Sequence, residues 1–226
     1  MFDKIKSIFN SKEEVASVPE GLSTSVELIK EVNSQSDYLL TSPEIVGWMA
    51  TEEQELLFSA LLLFYNSNQS VLDVGCGRAD LQSYIKRLLK VDSIEYTGID
   101  LNTNLIDLAK RKYPNVNVKT GDILTESLED KFDWVFGSGL FNYRETDEQT
   151  MIDYAKRCID QMYKKCDVGV AFNLLTGFPA EMNDEDKNQM IAHDPAIWLA
   201  YLIETYNKVI CRSDYMSGDV TFIIFK

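Results

Sequence analysis

The chain has 226 residues, of which 45% are hydrophobic, and a net charge of −14, so it can bury a full core and is most simply one α/β domain with N-terminal additions. Such an acidic surface repels phosphate backbones, which argues against general nucleic-acid binding. The composition does not exclude a local basic patch. No apolar run approaches membrane-spanning length, and the four cysteines form no Cys-x-x-Cys pair and follow no signal peptide, so we expect reduced thiols in a cytoplasmic protein.

The chain begins with a segment that predicts no stable fold of its own. Residues 1–21 are interpreted as a tail and a polar linker, which contains Pro19 and ends at Gly21. The first ten residues place apolar side chains near one side of a short helix. They either contact a membrane or a partner, or they form only a frayed helix.

Residues 22–69 predict a helical cap in front of the main domain. One helix is expected near 22–38 and a second near 51–65, and a capping-box pattern that starts at Thr51 predicts the beginning of the second. Trp48 lies in the connection between them. Its side chain either lines a pocket for a substrate or packs against the edge of the domain.

The main domain opens with a buried strand, a tight turn and the start of a helix, over residues 71–81. Gly75 and Gly77 allow the backbone to turn sharply and to come close to a ligand, and the helix that follows directs free N–H groups toward the same point. This geometry suits a nucleotide-like cofactor. The signal is weak by itself, because Asp80 stands where the third glycine of the dinucleotide fingerprint belongs.

A second strand follows the first helix and ends at Asp100. A strand, helix and strand of this length predict a parallel crossover, which brings the end of the second strand beside the glycine turn. An acid at that point can accept hydrogen bonds from both hydroxyls of a ribose. The alternative is that Asp100 only caps the next helix, which begins near Asn102.

The third and fourth strands lead into two further loops at the same edge. After the third strand, Asp122 is placed to accept from an adenine amine while Ile123 covers the ring, although an ordinary turn would also explain this pair. The fourth strand, residues 132–137, runs directly into small, polar and aromatic residues at 138–143. Small residues at the end of a strand leave room for a ligand.

The C-terminal part predicts how the sheet is completed. A fifth strand near 168–174 is followed by a long segment, 176–194, which we interpret as an insertion over the site. After a helix at 195–206, two strands near 208–212 and 220–225 are joined by a connection too short for a crossover helix. These last two strands must therefore pair antiparallel.

This succession resembles the cofactor half of the class I S-adenosylmethionine-dependent methyltransferases, over about residues 70–225. The resemblance rests on four motifs in order and spacing: Val71-Leu72-Asp73-Val74-Gly75-Cys76-Gly77, Gly98-Ile99-Asp100-Leu101, Gly121-Asp122-Ile123-Leu124 and Phe132-Asp133-Trp134-Val135-Phe136. It implies an α/β fold at residues 70–226, with a Rossmann-like, seven-stranded, mostly parallel sheet, helices on both faces and an antiparallel C-terminal hairpin strand.

The resemblance also implies S-adenosyl-L-methionine as the cofactor. The glycine turn would hold its methionine end, Asp100 its ribose and Asp122 its adenine. Ala79 stands where many family members have another glycine, which should alter the turn little. The expected cofactor contacts are Asp73, Gly75, Cys76, Gly77, Asp100, Leu101, Asp122, Ile123, Ser138 and Gly139.

The expected chemistry is an in-line attack on a sulfonium methyl group, for which alignment of the reactants supplies much of the acceleration. If the acceptor is a hydroxyl or an amine, a base helps to remove its proton. The candidates for catalysis are His193, Tyr143 and Asn142, and those for the substrate pocket are Trp48 and Phe141. The alternative for His193, the single histidine, is a helix-start residue without a chemical role.

Three functional hypotheses follow. The first is a methyltransferase for a small-molecule or sugar-like acceptor, and the second is a methyltransferase for a protein or a structured nucleic acid. The third is a cofactor-binding protein without transfer activity that acts through a partner. The Asn/Asp-Pro-Pro-aromatic signature of amino-methylating nucleic-acid enzymes and a Pro-Cys nucleophile motif are both absent from the sequence, which lowers the expectation of base methylation.

Overall fold

Seven strands form one sheet in the computed structural model. They are β1 (Val71–Val74), β2 (Tyr96–Asp100), β3 (Val118–Thr120), β4 (Phe132–Gly137), β5 (Cys166–Leu175), β6 (Val209–Arg212) and β7 (Asp219–Phe225). Their order across the sheet is β3-β2-β1-β4-β5-β7-β6. The first five strands pair in parallel, and β7 is antiparallel to both β5 and β6. The predicted mostly parallel sheet with an antiparallel hairpin is therefore confirmed.

Helices cover both faces of this sheet. They are α1 (Thr51–Leu61), α2 (Asp80–Leu89), α3 (Thr103–Lys112), α4 (Glu148–Lys165), α5 (Asp184–Asn188) and α6 (Pro195–Tyr206). One buried cluster packs α1, α2 and α3 against the face that carries Trp134 and Phe136, and another packs α4 and α6 against the face of Phe172 and Phe222. Among the helices described, none is long and apolar enough to cross a membrane.

The structure describes residues 40–41, 50–126, 128, 131–144, 146–178, 180, 182 and 184–226. The tail at 1–21, the helix expected near 22–38 and Trp48 lie outside these ranges, and the division into tail, cap and main domain stays a prediction. The helix predicted over 51–65 ends at Leu61.

The capping box predicted at Thr51 is wrong. Ala50 is the residue that precedes the first helical turn, it makes no side-chain cap, and Thr51 is already helical. The Ser/Thr-x-x-Glu/Gln pattern acts as a cap only when its first residue keeps a non-helical backbone. At Thr51 the helix has begun one residue too early for that.

The register aligns one row of residues at the carboxyl edge of the sheet. Val74 lies beside Ile99, and Gly137 lies beside Phe172. One residue nearer the edge, a row crosses five strands on the face of α1, α2 and α3, because successive side chains alternate between faces. This row, called the edge row below, consists of Asp100, Gly75, Ser138, Asn173 and Thr221. The edge row is where the chemistry-bearing residues of distant segments meet.

Candidate active site

The turn after β1 has the backbone that the sequence predicts. Gly75 has φ 71° and Gly77 has φ 51°, in the left-handed region that favours glycine. The N–H groups of Gly75 and Cys76 both donate to the carbonyl of Ile99, at 2.8 and 3.0 Å. A Cβ at Gly75 would lie 2.7 Å from Cδ1 of Leu140, so the loop after β4 closes on the turn. Two strands thereby hold the turn from either side.

Cys76 is the buried residue of this turn. A Cβ at Gly98 on β2 would lie 2.8 Å from Sγ of Cys76. The thiol therefore fills space that is left because Gly98 has no side chain. Burial, followed by the nearby Asp73 carboxylate, raises the pKa of the thiol. A protonated, buried thiol is a packing group and not a nucleophile.

Asp100 lies against the glycine turn in the edge row. Its Oδ2 accepts a hydrogen bond from the N–H of Gly77 at 2.8 Å, and its Oδ1 accepts from the N–H of Asn102 at 2.8 Å. Burial raises the pKa of this carboxyl, whereas the two N–H donors lower it. Asn102 itself caps α3. Because each carboxylate oxygen has a second lone pair, Asp100 can still accept from two hydroxyls.

Asp73 on β1 is buried and accepts a hydrogen bond from the hydroxyl of Tyr96 at 2.6 Å. Burial raises its pKa to about 7, although the Tyr96 bond acts in the opposite direction and the carboxylate of Asp100 adds to the rise. Tyr96 was not foreseen as a site residue from the sequence, because nothing in its strand marks its hydroxyl as the partner of an acid on β1.

Asp80 has a definite structural role at the position of the missing third glycine. Its Oδ2 lies 2.9 Å from the fully buried guanidinium of Arg78, and its Oδ1 lies 2.6 Å from Nζ of Lys112. The hydroxyl of Tyr113 donates to the same oxygen at 3.3 Å. These contacts tie the start of α2 to the end of α3. The sequence singled out neither Arg78 nor Lys112.

The loop after β3 presents an acid with one oxygen to spare. Oδ1 of Asp122 accepts from the N–H of Leu124 at 2.9 Å, while its buried Oδ2 has no hydrogen-bond partner among the described residues. Burial raises the pKa of this carboxyl. Ile123 beside it is buried, and Leu101, next to Asp100, is half exposed. An acceptor flanked by apolar side chains suits an aromatic amine.

The loop after β4 meets β5 through a residue that sequence reasoning missed. Gly139 has φ 65° and donates its N–H to Oδ1 of Asn173 at 3.0 Å. Oγ of Ser138 and Nδ2 of Asn173 are both buried, and neither has a hydrogen-bond partner in the described part of the chain. The signal available in the sequence was an amide inside the otherwise apolar strand Val168–Leu174.

Asn142 serves the fold at the end of β5. Its Oδ1 accepts from the N–H of Leu175 at 2.9 Å, and its carbonyl accepts from the N–H of Ile191 at 2.8 Å. Tyr143 forms a β-bridge with Met190. The segment predicted to cover the site is thus joined to the loop after β4. A role for Asn142 or Tyr143 toward an acceptor stays a prediction.

Phe141 and His193 lie on the other face of the sheet, with α4 and α6. The Phe141 ring is buried and packs edge-on against Phe172, with centroids 5.9 Å apart. Nδ1 of His193 accepts from the indole N–H of Trp198 at 3.1 Å, so its Nε2 carries the proton and donates to the Phe141 carbonyl at 3.0 Å. Burial lowers the pKa of His193. Both ring nitrogens are occupied, which favours the structural alternative over a base.

Comparisons with known proteins find similarity to methyltransferases. Residues 71–178 match the family model of a methyltransferase domain. A methyltransferase-like protein, 235L of Invertebrate iridescent virus 6, is 42% identical over 69 residues, which cover 30% of this chain and 25% of that protein. The chain therefore spans about a quarter of the length of this relative.

Solved structures share the fold at low sequence identity. A magnesium protoporphyrin IX methyltransferase from Synechocystis, with bound S-adenosylhomocysteine, has a TM-score of 0.52 at 14% identity and covers 100% of this chain and 94% of its own. An O-methyltransferase family protein from Burkholderia thailandensis has a TM-score of 0.60 at 15% identity, covering 100% of this chain and 68% of its own. Likeness at this identity is a likeness of fold.

Proposed function

We propose that the protein is a class I S-adenosylmethionine-dependent methyltransferase, since residues 71–178 match the model of a methyltransferase domain, and that it transfers a methyl group from S-adenosylmethionine to a small-molecule acceptor. One observation carries the proposal. Asp100 lies beside the glycine turn, held by the N–H of Gly77, with a lone pair free on each oxygen. That arrangement fits the two hydroxyls of a ribose.

The remaining residues of the site fit the rest of the cofactor. The unpartnered Oδ2 of Asp122 can accept from the adenine amine, with Ile123 and Leu101 against the ring. Gly75 allows the loop after β4 to approach the turn, because a Cβ there would lie 2.7 Å from Cδ1 of Leu140. The acidic groups around the turn, Asp73 and Asp100, favour a cation such as a sulfonium.

When bound, S-adenosylmethionine supplies a methyl group on a sulfonium, which is already a strong electrophile. The chain contributes binding and orientation: Asp100 and Asp122 fix the nucleoside, and the loop after β4 borders the acceptor side. Alignment of acceptor and methyl group is the main source of rate that these residues offer. His193 supports the loop at Phe141 through a hydrogen bond and does not act as a proton acceptor.

Three further observations support a small-molecule acceptor and a cytoplasmic location. The net charge of −14 disfavours polyanionic acceptors. One protein of similar fold is a magnesium protoporphyrin IX methyltransferase. All four cysteines are unpaired, and three of them are buried, as expected of a protein in a reducing compartment.

Calorimetric titration with S-adenosylhomocysteine tests the cofactor site. Asp100→Ala removes two hydrogen bonds to a charged acceptor and should weaken binding by about 2–4 kcal/mol. Asp107→Ala, which removes an exposed carboxylate from α3, is the matched control and should leave binding unchanged. Equal affinity of wild type and Asp100→Ala would refute the assignment of the ribose to Asp100.

A labelled-methyl screen tests the acceptor class. The protein is incubated with S-adenosylmethionine carrying a labelled methyl group and with small-molecule, protein and nucleic-acid fractions of one cell extract in parallel. We expect label in the small-molecule fraction, and much less label at equal cofactor concentration when Asp100→Ala replaces the wild type. Label confined to protein or nucleic acid would replace the proposed acceptor class while leaving the methyltransferase assignment intact.

A further inference from the structure

A buried carboxyl lies at the start of β7, on the face of the sheet that carries the edge row. Asp219 pairs with Leu175 of β5, one residue pair beyond Thr221. Because successive side chains of a strand alternate between faces, Asp219 is on the same face as Thr221. The edge row therefore continues outward to a carboxyl that is only 4% exposed.

Neighbouring groups fix the position of this carboxyl. The hydroxyl of Tyr215 donates to Oδ1 of Asp219 at 2.6 Å, so the hydroxyl of Thr221, at 2.8 Å, must donate to Tyr215. The carbonyl of Gly218 accepts from the N–H of Thr176 at 2.8 Å, which ties the hairpin loop to the end of β5. Asp219 is thus held by two segments of the chain, and its side-chain hydrogen bond occupies Oδ1.

The second oxygen of Asp219 is left for another group. Within the described residues Oδ2 makes no hydrogen bond to a side chain, and unlike Oδ2 of Asp122 it is not a fully buried atom without a partner. This oxygen therefore keeps a small accessible surface. A group of a ligand at the edge of the sheet can reach it.

No cation of the described residues neutralises Asp219. None of their ion pairs includes this carboxyl, and Arg212 of the same hairpin pairs with Asp214 at 2.6 Å. Burial without a cation disfavours an ionised carboxyl. A hydrogen-bonded cation from a ligand would offset that cost, because it restores the charge balance of the buried group. The ligand group that suits Asp219 is therefore an ammonium.

The width of the sheet decides which part of a ligand meets Asp219. The glycine turn after β1 lies three strands from β7, which is about 14 Å at ~4.8 Å per strand. An attacking atom must come within about 3.5 Å of the methyl carbon. With the sulfonium beside the glycine turn, Asp219 is too distant to touch the attacking atom. It meets a group that lies several bonds away in the acceptor.

We propose that Asp219 determines acceptor specificity by binding an ammonium group of the small-molecule acceptor, several bonds from the atom that is methylated. This inference rests on the function proposed above, and it names the substrate class as small molecules that carry a basic amine. Tyr215 and Thr221 are positioning residues that orient the carboxylate. The net charge of −14 assists, because it draws cations to the protein.

Ion exchange separates candidate acceptors by charge. The small-molecule fraction of a cell extract is divided at neutral pH into cationic, neutral and anionic pools. Each pool is incubated with the protein and with S-adenosylmethionine that carries a labelled methyl group. We expect labelled product from the cationic pool.

The variant Asp219→Asn removes the charge but keeps an oxygen for the hydroxyl of Tyr215, so it should fold. At a limiting concentration of the cationic pool, its labelling rate should fall by about 10- to 100-fold. The loss should shrink as the pool is concentrated, because acceptor binding is what the variant weakens. Asp214→Asn, which removes an exposed carboxylate from the same hairpin, is the matched control and should label as wild type does.

Calorimetry with S-adenosylhomocysteine separates acceptor binding from the cofactor site. Wild type and Asp219→Asn should bind this nucleoside with affinities that agree within about twofold. An affinity loss as large as the loss of labelling would overturn the specificity role, since the substitution would then act through the cofactor site or the fold.

The remaining outcomes distinguish the two proposals. Label confined to the neutral or anionic pool, or equal labelling of the cationic pool by wild type and Asp219→Asn, would overturn the specificity role and leave the proposed function standing. Wild type that binds S-adenosylhomocysteine but labels no pool would overturn this inference and the small-molecule acceptor. Wild type that does not bind S-adenosylhomocysteine would overturn the whole proposed function.

Discussion

Asp219, at the start of β7, is a buried acid that makes the stability of the fold depend on pH. The hydroxyl of Tyr215 donates to its Oδ1 at 2.6 Å and also lies 2.8 Å from Oγ1 of Thr221. Burial raises the pKa of Asp219 to about 7, although the Tyr215 bond acts in the opposite direction. The folded protein thus favours the protonated carboxyl, whereas the unfolded chain ionises near pH 4.

The pH dependence of stability follows from this difference. The contribution of Asp219 is fully present below about pH 4 and is lost as the pH rises toward 7, by up to about 1.4 kcal/mol per pH unit. Because Asp219→Asn cannot ionise, the free energies of unfolding of wild type and variant, measured in urea, should diverge with rising pH in favour of the variant. Asp214→Asn is the control, since the hydrogen bond from Arg212 lowers the pKa of Asp214 and its effect has the opposite sign. A difference between wild type and Asp219→Asn that is constant from pH 4 to 8 would contradict the raised pKa.

Single residues also mark the limit of what the sequence can predict. Asp100 and Asp122 could be foreseen, because a parallel crossover fixes where the ends of strands lie. Asn173 could not, because its partner Gly139 is 34 residues away and the contact depends on the register between β4 and β5. The local sequence holds no information about that register.

At the scale of elements, the peptide groups of Leu175 join three segments. Its N–H donates to Asn142, and its carbonyl accepts from the N–H of His193 at 2.7 Å. His193 in turn bonds to Phe141 and Trp198. The end of β5, the loop after β4 and the start of α6 are therefore one hydrogen-bonded unit. The segment 176–194, which is predicted to cover the site, is anchored by this unit at its C-terminal end.

His193 variants test whether this unit is structural or catalytic. His193→Ala leaves the Phe141 carbonyl and the Trp198 indole N–H without partners and should lower the free energy of unfolding by about 2–4 kcal/mol. His193→Gln can form both bonds, so its turnover should stay within about threefold of wild type, whereas loss of a base would cost ~10²-fold. Burial lowers the pKa of His193, so its contribution to stability is present above about pH 6.5 and is lost as the pH falls. A hundredfold loss of turnover in a stable His193→Gln would establish the base.

The sequence marks the start of a helix clearly only where a side chain caps it. The start of α6 is marked by Asp194, whose side chain accepts from two backbone N–H groups, followed by Pro195. α1 starts at Thr51, and Ala50 before it makes no side-chain cap, so the capping-box pattern at Thr51 was misleading. A cap is reliable in a sequence only where tertiary packing does not extend the helix past it.

At the scale of the whole molecule, two features distinguish this chain from a dinucleotide-binding domain. A dinucleotide-binding domain needs a third glycine where the pyrophosphate meets the helix, and this chain has Asp80 there, in an ion pair with Arg78. The hairpin of β6 and β7 closes the sheet where further crossovers would otherwise continue it. Both features could be foreseen from the sequence, because each depends on local spacing.

The free energy of unfolding, measured with and without each ligand, tests which of the two cofactor classes the protein binds. S-adenosylhomocysteine at 100 times its dissociation constant should raise the free energy of unfolding by about 2.7 kcal/mol, because it binds only the folded state. NAD at the same concentration should have no effect. Stabilisation by NAD without any by S-adenosylhomocysteine would contradict the cofactor assignment.

The antiparallel strand β7 has a consequence for how such a protein can diversify. Its start lies beside the end of β5, so the loop at 213–218 reaches the same edge as the glycine turn but from the far side of the sheet. Variation in that loop leaves the strands around β1 and their pairing untouched. In a protein with the proposed function, new acceptor preferences can therefore arise through changes in this loop, while the strands that carry Asp100 and the glycine turn stay unchanged.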